Sequence, residues 1–251
     1  MIQRYLQTGL CLVIGSVVLV SQSVHKHIQI SSDIELIKIS DHAYVHVSYA
    51  ALPGFGRFPS NGLVFVQGNE AFLFDTPVTD SLTKTLVSWI QDSLHVNIVG
   101  FVPNHWHNDC MGGLSYLQSL GVESYANQRT IDSAQAKHLP VPAHGFQDST
   151  HLQLGDKEID CYYFGPAHST DNIVVWIPSE KILFAGCMAK SMSSTDLGNT
   201  ADGNLIEYPR TIEKVLQRFP DAAVVIPGHG SFGGLELLTH TENLCRAPHA
   251  K

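Results

Sequence analysis

His105, His107 and Asp109 occupy every second position of the segment NHWHNDCMGG, residues 104–113, and Cys110 and a glycine pair follow at once. Imidazoles and a carboxylate at that spacing are metal ligands short of a full set. His168 in GPAHSTDN, Cys187 in FAGC and His229 in PGHG complete it, each flanked by Gly or Pro. His105, His107 and His168 make a three-imidazole site of the kind that leaves one position of a tetrahedral zinc open to water. Asp109, Cys187 and His229 make a second set, and its thiolate favours zinc over magnesium, calcium or manganese. Two zinc ions sharing a water supply hydroxide at neutral pH and polarise a carbonyl. A structural zinc site normally closes with four protein ligands, so six ligands and an open position argue against a non-catalytic zinc-binding module. The other ten of the fourteen histidines read as surface or hydrogen-bonding residues.

Each ligand follows a segment that reads as a strand. His105 and His107 come after 98–102, His168 after 158–164, Cys187 after 182–185 and His229 after 223–226. Further strands are predicted at 44–50, 62–67, 71–75, 151–154 and 173–177, with a hairpin turn at Gly68-Asn69. Helices are predicted at 81–92, 111–120 (stopped by Gly121), 208–219 and 235–245. Strands first and helices after, occurring twice, predict two sheets packed face to face with helices outside. The glycines beside the ligands permit the tight turns that would bring four strand exits to one edge.

The totals agree with an enzyme of this size. A chain of 251 residues can bury a full core, and 44% hydrophobic against 15% charged residues describes a folded globular protein. A net charge of −8 without any Lys/Arg-rich run argues against a nucleic-acid partner. Residues 1–23 read as an export signal: Arg4, then the apolar run GLCLVIGSVVLV, then SQS. The run is short for a membrane span. The expectation is therefore a single domain, residues 24–251, periplasmic and free of the membrane in its mature form. Loss of Arg4 with the signal takes the net charge from −8 to −9. An oxidising compartment permits disulfides, but Cys110, Cys161, Cys187 and Cys245 match no disulfide framework.

HWHND, GPAHSTDN, LFAGC and PGHG, in that order, resemble the metallo-β-lactamase superfamily over nearly the whole mature chain. The resemblance implies an α/β fold, a four-layer αβ/βα sandwich with the metal site at one edge. Zinc thioesterases of the hydroxyacylglutathione hydrolase type carry His-x-His-x-Asp-His and an Asp that bridges two metals. Those two positions are Cys110 and Cys187 here, so the chain looks like the class B β-lactamases of the first, di-zinc, broad-spectrum subclass. The one-zinc subclass has Asn where His105 stands.

Several expectations follow from that likeness. The activity would be zinc-dependent opening of the β-lactam amide of penicillins, cephalosporins and carbapenems, by a monomer with two Zn2+ ions, conferring antibiotic resistance. Asp109 would orient the nucleophile and Asn199 would assist at the substrate carbonyl. Lys190, three residues after Cys187, would pair with the substrate carboxylate as a flexible point charge. Residues 51–62 would form a mobile loop over the site, with Phe55 and Phe58 against apolar substrate groups and Gly54 and Gly56 for flexibility. Asp75 in LFDTP would stand behind the ligands, and Trp106 would pack into the core. Cys110, where many members have Arg, would be a free thiol that alters second-metal affinity or invites oxidation.

Overall fold

Runs of β-branched and aromatic residues pair into two sheets. The computed structural model describes residues 25–52 and 56–247; the expected export signal and Phe55 lie outside them. The first sheet takes eight strands in chain order: β1 (Lys26–Ser31), β2 (Ile34–Lys38), β3 (Ala43–Leu52), β4 (Gly56–Gln67), β5 (Glu70–Phe74), β6 (Asn97–Val102), β7 (Glu123–Asn127) and β8 (His144–Phe146). Pairing is antiparallel through β5 and parallel from β5 to β8. The second sheet holds β9 (Ser149–Leu154), β10 (Lys157–Tyr162), β11 (Val174–Ile177), β12 (Ile182–Gly186) and β13 (Val224–Pro227), with only β12 and β13 parallel.

Parallel neighbours need crossover connections, and helices supply them. They are α1 (Asp80–Trp89), α2 (Asn108–Met111), α3 (Leu114–Ser119), α4 (Gln128–Ala136) and α5 (Tyr208–Arg218), with α6 (Glu236–Arg246) closing the fold. Among the described residues no helix is long and apolar enough to cross a membrane.

The strand β5 explains the four layers. Its side chains alternate, so Phe72 and Phe74 enter the core between the sheets while Ala71 and Leu73 enter the core shared with Leu86, Val87, Leu114 and Leu117 of α1 and α3. β12 mirrors it. Ile182 and Phe184 point inward, whereas Leu183 and Ala185 meet Ile212 and Val215 of α5 and Leu237 and Leu238 of α6. Strands buried on both faces read as continuous apolar runs, which is how these segments read in the sequence. The two sheets packed face to face with helices outside, expected from element order, are observed, and they form the αβ/βα sandwich that the resemblance implies.

Local departures have identifiable causes. The helix predicted over 81–92 starts at Thr79, whose hydroxyl accepts from the Leu82 N–H at 3.3 Å, and ends in a π turn, Ile90–Leu94. The helix predicted over 111–120 divides into α2 and α3 at Gly112-Gly113. A Cβ on Gly112 would lie 2.0 Å from the Val78 carbonyl oxygen, and one on Gly113 would lie 1.9 Å from Thr83 Oγ1. The pair lets the chain press against the start of α1, and the helical path breaks there. Of residues 51–62, the described ones lie in the outer arms of the β3–β4 hairpin, with Ala50 opposite Phe58 and Ala51 opposite Arg57, while Gly54, like Phe55, lies outside the described residues. The sequence reading also missed β1, β2, β7, β8 and α4. The buried face of α4 is Thr130, Ile131 and Ala134, which offers one large apolar residue and no visible period.

His46 on β3 is one of the ten histidines outside the ligand set, and it is fully enclosed. A Cβ on Gly62 would sit 2.0 Å from its Nε2, which donates to the Asp75 carbonyl at 3.0 Å. Burial pushes its pKa from 6.5 to about 4. The unfolded chain therefore binds this proton more readily than the folded one. The stability involved is complete above pH 6.5 and is lost as pH falls toward 4, by up to about 3 kcal/mol. In a Tm series from pH 7 to pH 4, His46→Gln will lose less of its own stability than the parent does.

Candidate metal centre

Four strand exits meet at one edge of the sandwich. The chain leaving β6 carries His105 and His107 and enters α2 with Asp109. His168 lies between β10 and β11, Cys187 directly follows β12, and His229 follows β13. Close packing explains a glycine of PGHG: a Cβ on Gly228 would lie 2.3 Å from Cys187 Sγ. Gly186, at φ 54, takes the left-handed conformation that turns the chain just ahead of Cys187.

The rings of His105, His107 and His168 stand nearly perpendicular to one another, with centroids 4.4, 4.9 and 5.3 Å apart. His105 Nε2 and His107 Nδ1 approach to 2.8 Å. Among the described residues His168 Nδ1 is buried and has no hydrogen-bond partner. In the second set, Cys187 Sγ lies 3.5 Å from Asp109 Oδ2 and 3.4 Å from His229 Nε2, which is itself 3.1 Å from Asp109 Oδ2. Ligand atoms of Asp109, Cys187 and His229 all lie within 4.8 Å of one another. The same holds for His105, His107 and Asp109, and for His105, His168 and Cys187, so the two sets adjoin. Nitrogen and sulfur donors with one carboxylate fit zinc.

Protonation agrees with ligation. Burial, aided by the neighbouring His107, pushes His105 down to about 3, and burial holds His168 well below its ordinary value. Both therefore present free lone pairs at neutral pH. A hydrogen bond from the Cys110 thiol, with help from His229 against the effect of burial, brings Cys187 down to about 6. Burial would raise Asp109, but the hydrogen bond from His229 and the surrounding imidazoles hold it well below the carboxylate range. Burial opposes a proton on His229 and is outweighed by Cys187 and Asp109, which raise its pKa; a metal ion would displace that proton.

The second nitrogen of three ligand rings is held by an acceptor, which fixes tautomer and aim. His105 Nδ1 donates to Asn104 Oδ1 at 3.1 Å, His107 Nε2 to Asp202 Oδ2 at 3.0 Å, and His229 Nδ1 to the Pro59 carbonyl at 2.7 Å. Asn104 does more. Its N–H donates to Asp75 Oδ1 at 2.5 Å, and its side-chain amide donates to the carbonyls of Ile173 and Ala185, tying together the ends of β6, β11 and β12. Asn61 on β4 donates from its side chain to the carbonyls of Pro227, at 2.8 Å, and Gly230, at 2.7 Å, clamping the PGHG turn. Sequence reasoning missed Asn61, Asn104 and Asp202 as supports; nothing in their linear context marks them. Asp202→Ala will weaken metal binding by about 10- to 100-fold, read by competition with a chromophoric chelator.

Four of the six expected ligands, His107, Asp109, His168 and His229, line a cleft of about 620 Å³, while His105 and Cys187 are buried and do not line it. Phe58, Lys190 and Asn199 line it, as expected, together with Trp106, Lys137 and Asp202. The Phe58 ring stands edge-on to His229 at 5.9 Å. Lys190 is nearly enclosed, and burial lowers its pKa against the pull of Cys187 and Asp109. Asn199 accepts from the Ala201 N–H at 3.1 Å in a local turn, so its side-chain oxygen is engaged. Trp106 corrects an expectation in part: it packs on the core beneath the first sheet and also walls the cleft. The four described cysteines are free thiols, and Cys110 Sγ rests 3.1 Å from His105 Nδ1.

An αβ/βα sandwich that gathers imidazoles, a carboxylate and a thiolate at the edge of its sheets defines a class of metal-binding protein. This chain belongs to the metallo-beta-lactamase superfamily, which it matches over residues 104–229. It is 49% identical over 225 residues to the metallo-beta-lactamase type 2 of Bacteroides fragilis, covering 90% of each chain. The metallo-beta-lactamase type 2 of Bacillus cereus is 34% identical over 213 residues, covering 85% of this chain and 83% of that one. Among solved structures, the metallo-beta-lactamase from Pontibacter korlensis superposes with a TM-score of 0.82 at 36% identity, covering 86% of this chain and 100% of the other.

Proposed function

We infer that this protein opens the amide bond of β-lactam rings, in penicillins, cephalosporins and carbapenems, using two zinc ions, and so confers antibiotic resistance. The carrying observation is the gathering of six donor side chains at one edge of the sandwich, with Cys187 Sγ 3.5 Å from Asp109 Oδ2. His105, His107 and His168 would hold one ion, and Asp109, Cys187 and His229 the other. Bound there, the ions would supply a nucleophile at neutral pH and Lewis acidity at the carbonyl. Asp109, kept deprotonated beside His229, accepts a hydrogen bond from the attacking water and turns it toward the carbonyl carbon. Lys190 binds the substrate carboxylate, and the NH2 group of Asn199 donates toward the carbonyl oxygen. Phe58 covers apolar substituents. No serine nucleophile and no acyl-enzyme are required. Residues 1–23 serve as the export signal, and residues 24–251 act in the periplasm as a monomer, with no nucleic-acid or membrane partner.

A thioesterase of the hydroxyacylglutathione hydrolase type would place an imidazole directly after Asp109. Here Cys110 turns its sulfur to His105 and Cys187 instead, which weighs against that reading. The test is to count zinc in the purified mature protein and follow a chromogenic cephalosporin and a thioester, each with and without chelator. Chelator-sensitive cephalosporin turnover with two zincs supports the assignment. Thioester turnover alone, or zinc with no turnover, overturns it.

A further inference from the structure

The mechanism leaves one cation of the cleft unused. Lys137 follows the last residue of α4 and lines the cleft, as Lys190 does. Its Nζ lies 4.0 Å from the centroid of the Trp106 ring. That ring stands edge-on to His107 at 4.4 Å, and the backbone N–H of Trp106 donates to Asp171 Oδ2 at 3.0 Å. The same carboxylate oxygen accepts from Thr130 Oγ1 of α4 at 2.8 Å, which ties the Trp106 backbone to the helix that Lys137 follows. A cation over an aromatic face is held in place without its charge being cancelled, as a carboxylate partner would cancel it. Among the described residues Lys137 makes no ion pair. The cleft thus presents two ammonium groups, that of the buried Lys190 and that of Lys137.

We propose that Lys137 is a specificity-determining residue that recognises a second carboxylate, carried on the side chain of the β-lactam, so that dianionic substrates gain over monoanionic ones. This rests on the hydrolytic reading above. The pair to compare is benzylpenicillin and its α-carboxybenzyl counterpart, which differ by one carboxylate. In Lys137→Met, which keeps an aliphatic stem on Trp106, the ratio of kcat/KM for dianion over monoanion falls about two- to fivefold, the range of an exposed ion pair. The fall lies in KM. Lys137→Glu lowers the ratio further, and Lys137→Arg restores it. Raising the salt shrinks the difference between parent and Lys137→Met. An unchanged ratio in Lys137→Met, or equal losses with both penicillins, overturns the proposal. If the parent hydrolyses neither penicillin, the hydrolytic reading fails separately, and the ratio of their dissociation constants, read from tryptophan fluorescence, decides the role of Lys137 in the same way.

Discussion

Asp109→Asn will lower kcat for a chromogenic cephalosporin by about 10²- to 10⁴-fold, the range lost with a positioned proton acceptor. The substitution keeps size and shape, so the loss reports charge and hydrogen-bond polarity. Asp109 Oδ2 lies 3.1 Å from His229 Nε2 and 3.5 Å from Cys187 Sγ, and its ligand atom also falls within 4.8 Å of those of His105 and His107. One carboxylate thus touches both triplets. A neutral amide in its place carries no charge to balance a metal ion, and its oxygen is a weaker acceptor for the attacking water than a carboxylate. On the two-zinc reading proposed above, the metal content per chain, counted on the same sample, will fall. Activity within twofold of the parent would remove Asp109 from the mechanism.

Phe74→Ala will destabilise the fold by about 3–5 kcal/mol. The ring is fully buried between the sheets, with centroids 6.2 Å from Phe72 and 6.4 Å from Phe184, so it joins β5 to β12. No flexible side chain stands ready to fill the space. The drop corresponds to a Tm lower by roughly 10 °C, readable by calorimetry. The effect will reach the metal centre as well. Asp75, the next residue, holds the Asn104 N–H, and Phe184 lies three residues before Cys187. Zinc affinity will fall alongside Tm if the two sheets must stay apposed for the triplets to meet.

The ligands were legible because each combines a donor side chain with an apolar strand before it and a Gly or Pro beside it. The exits that carry His105 and His107, His168, Cys187 and His229 share that signature, with Gly or Pro within a few residues, and the fold brings them to one edge. The layers were legible for a related reason: β5, β11 and β12 are apolar on both faces, which only a strand covered twice requires. The supports were not. Asn61 acts on a turn more than 160 residues away, and Asp202 reaches His107 across 95. Contacts of that kind leave no local pattern. The β7–α4–β8 unit escaped notice because its buried positions include Ser124, Asn127 and Thr130, polar residues with partners that only the fold supplies.

The clamp of Asn61 on the PGHG turn also bears on how the molecule matures. Its donor and acceptors are separated by 166 and 169 residues, and His229 leans on the Pro59 carbonyl across 170. Ring closure over such spans is only modestly dearer than over half the length, about 0.6 kcal/mol per doubling, but it must wait until nearly all of the polypeptide is present. Pairings so distant along the backbone slow folding. The amino-terminal half can therefore arrange its own sheet during synthesis or transit, yet the hydrolytic pocket is the last thing to be finished, and a chain truncated before Pro227 has no means of finishing it.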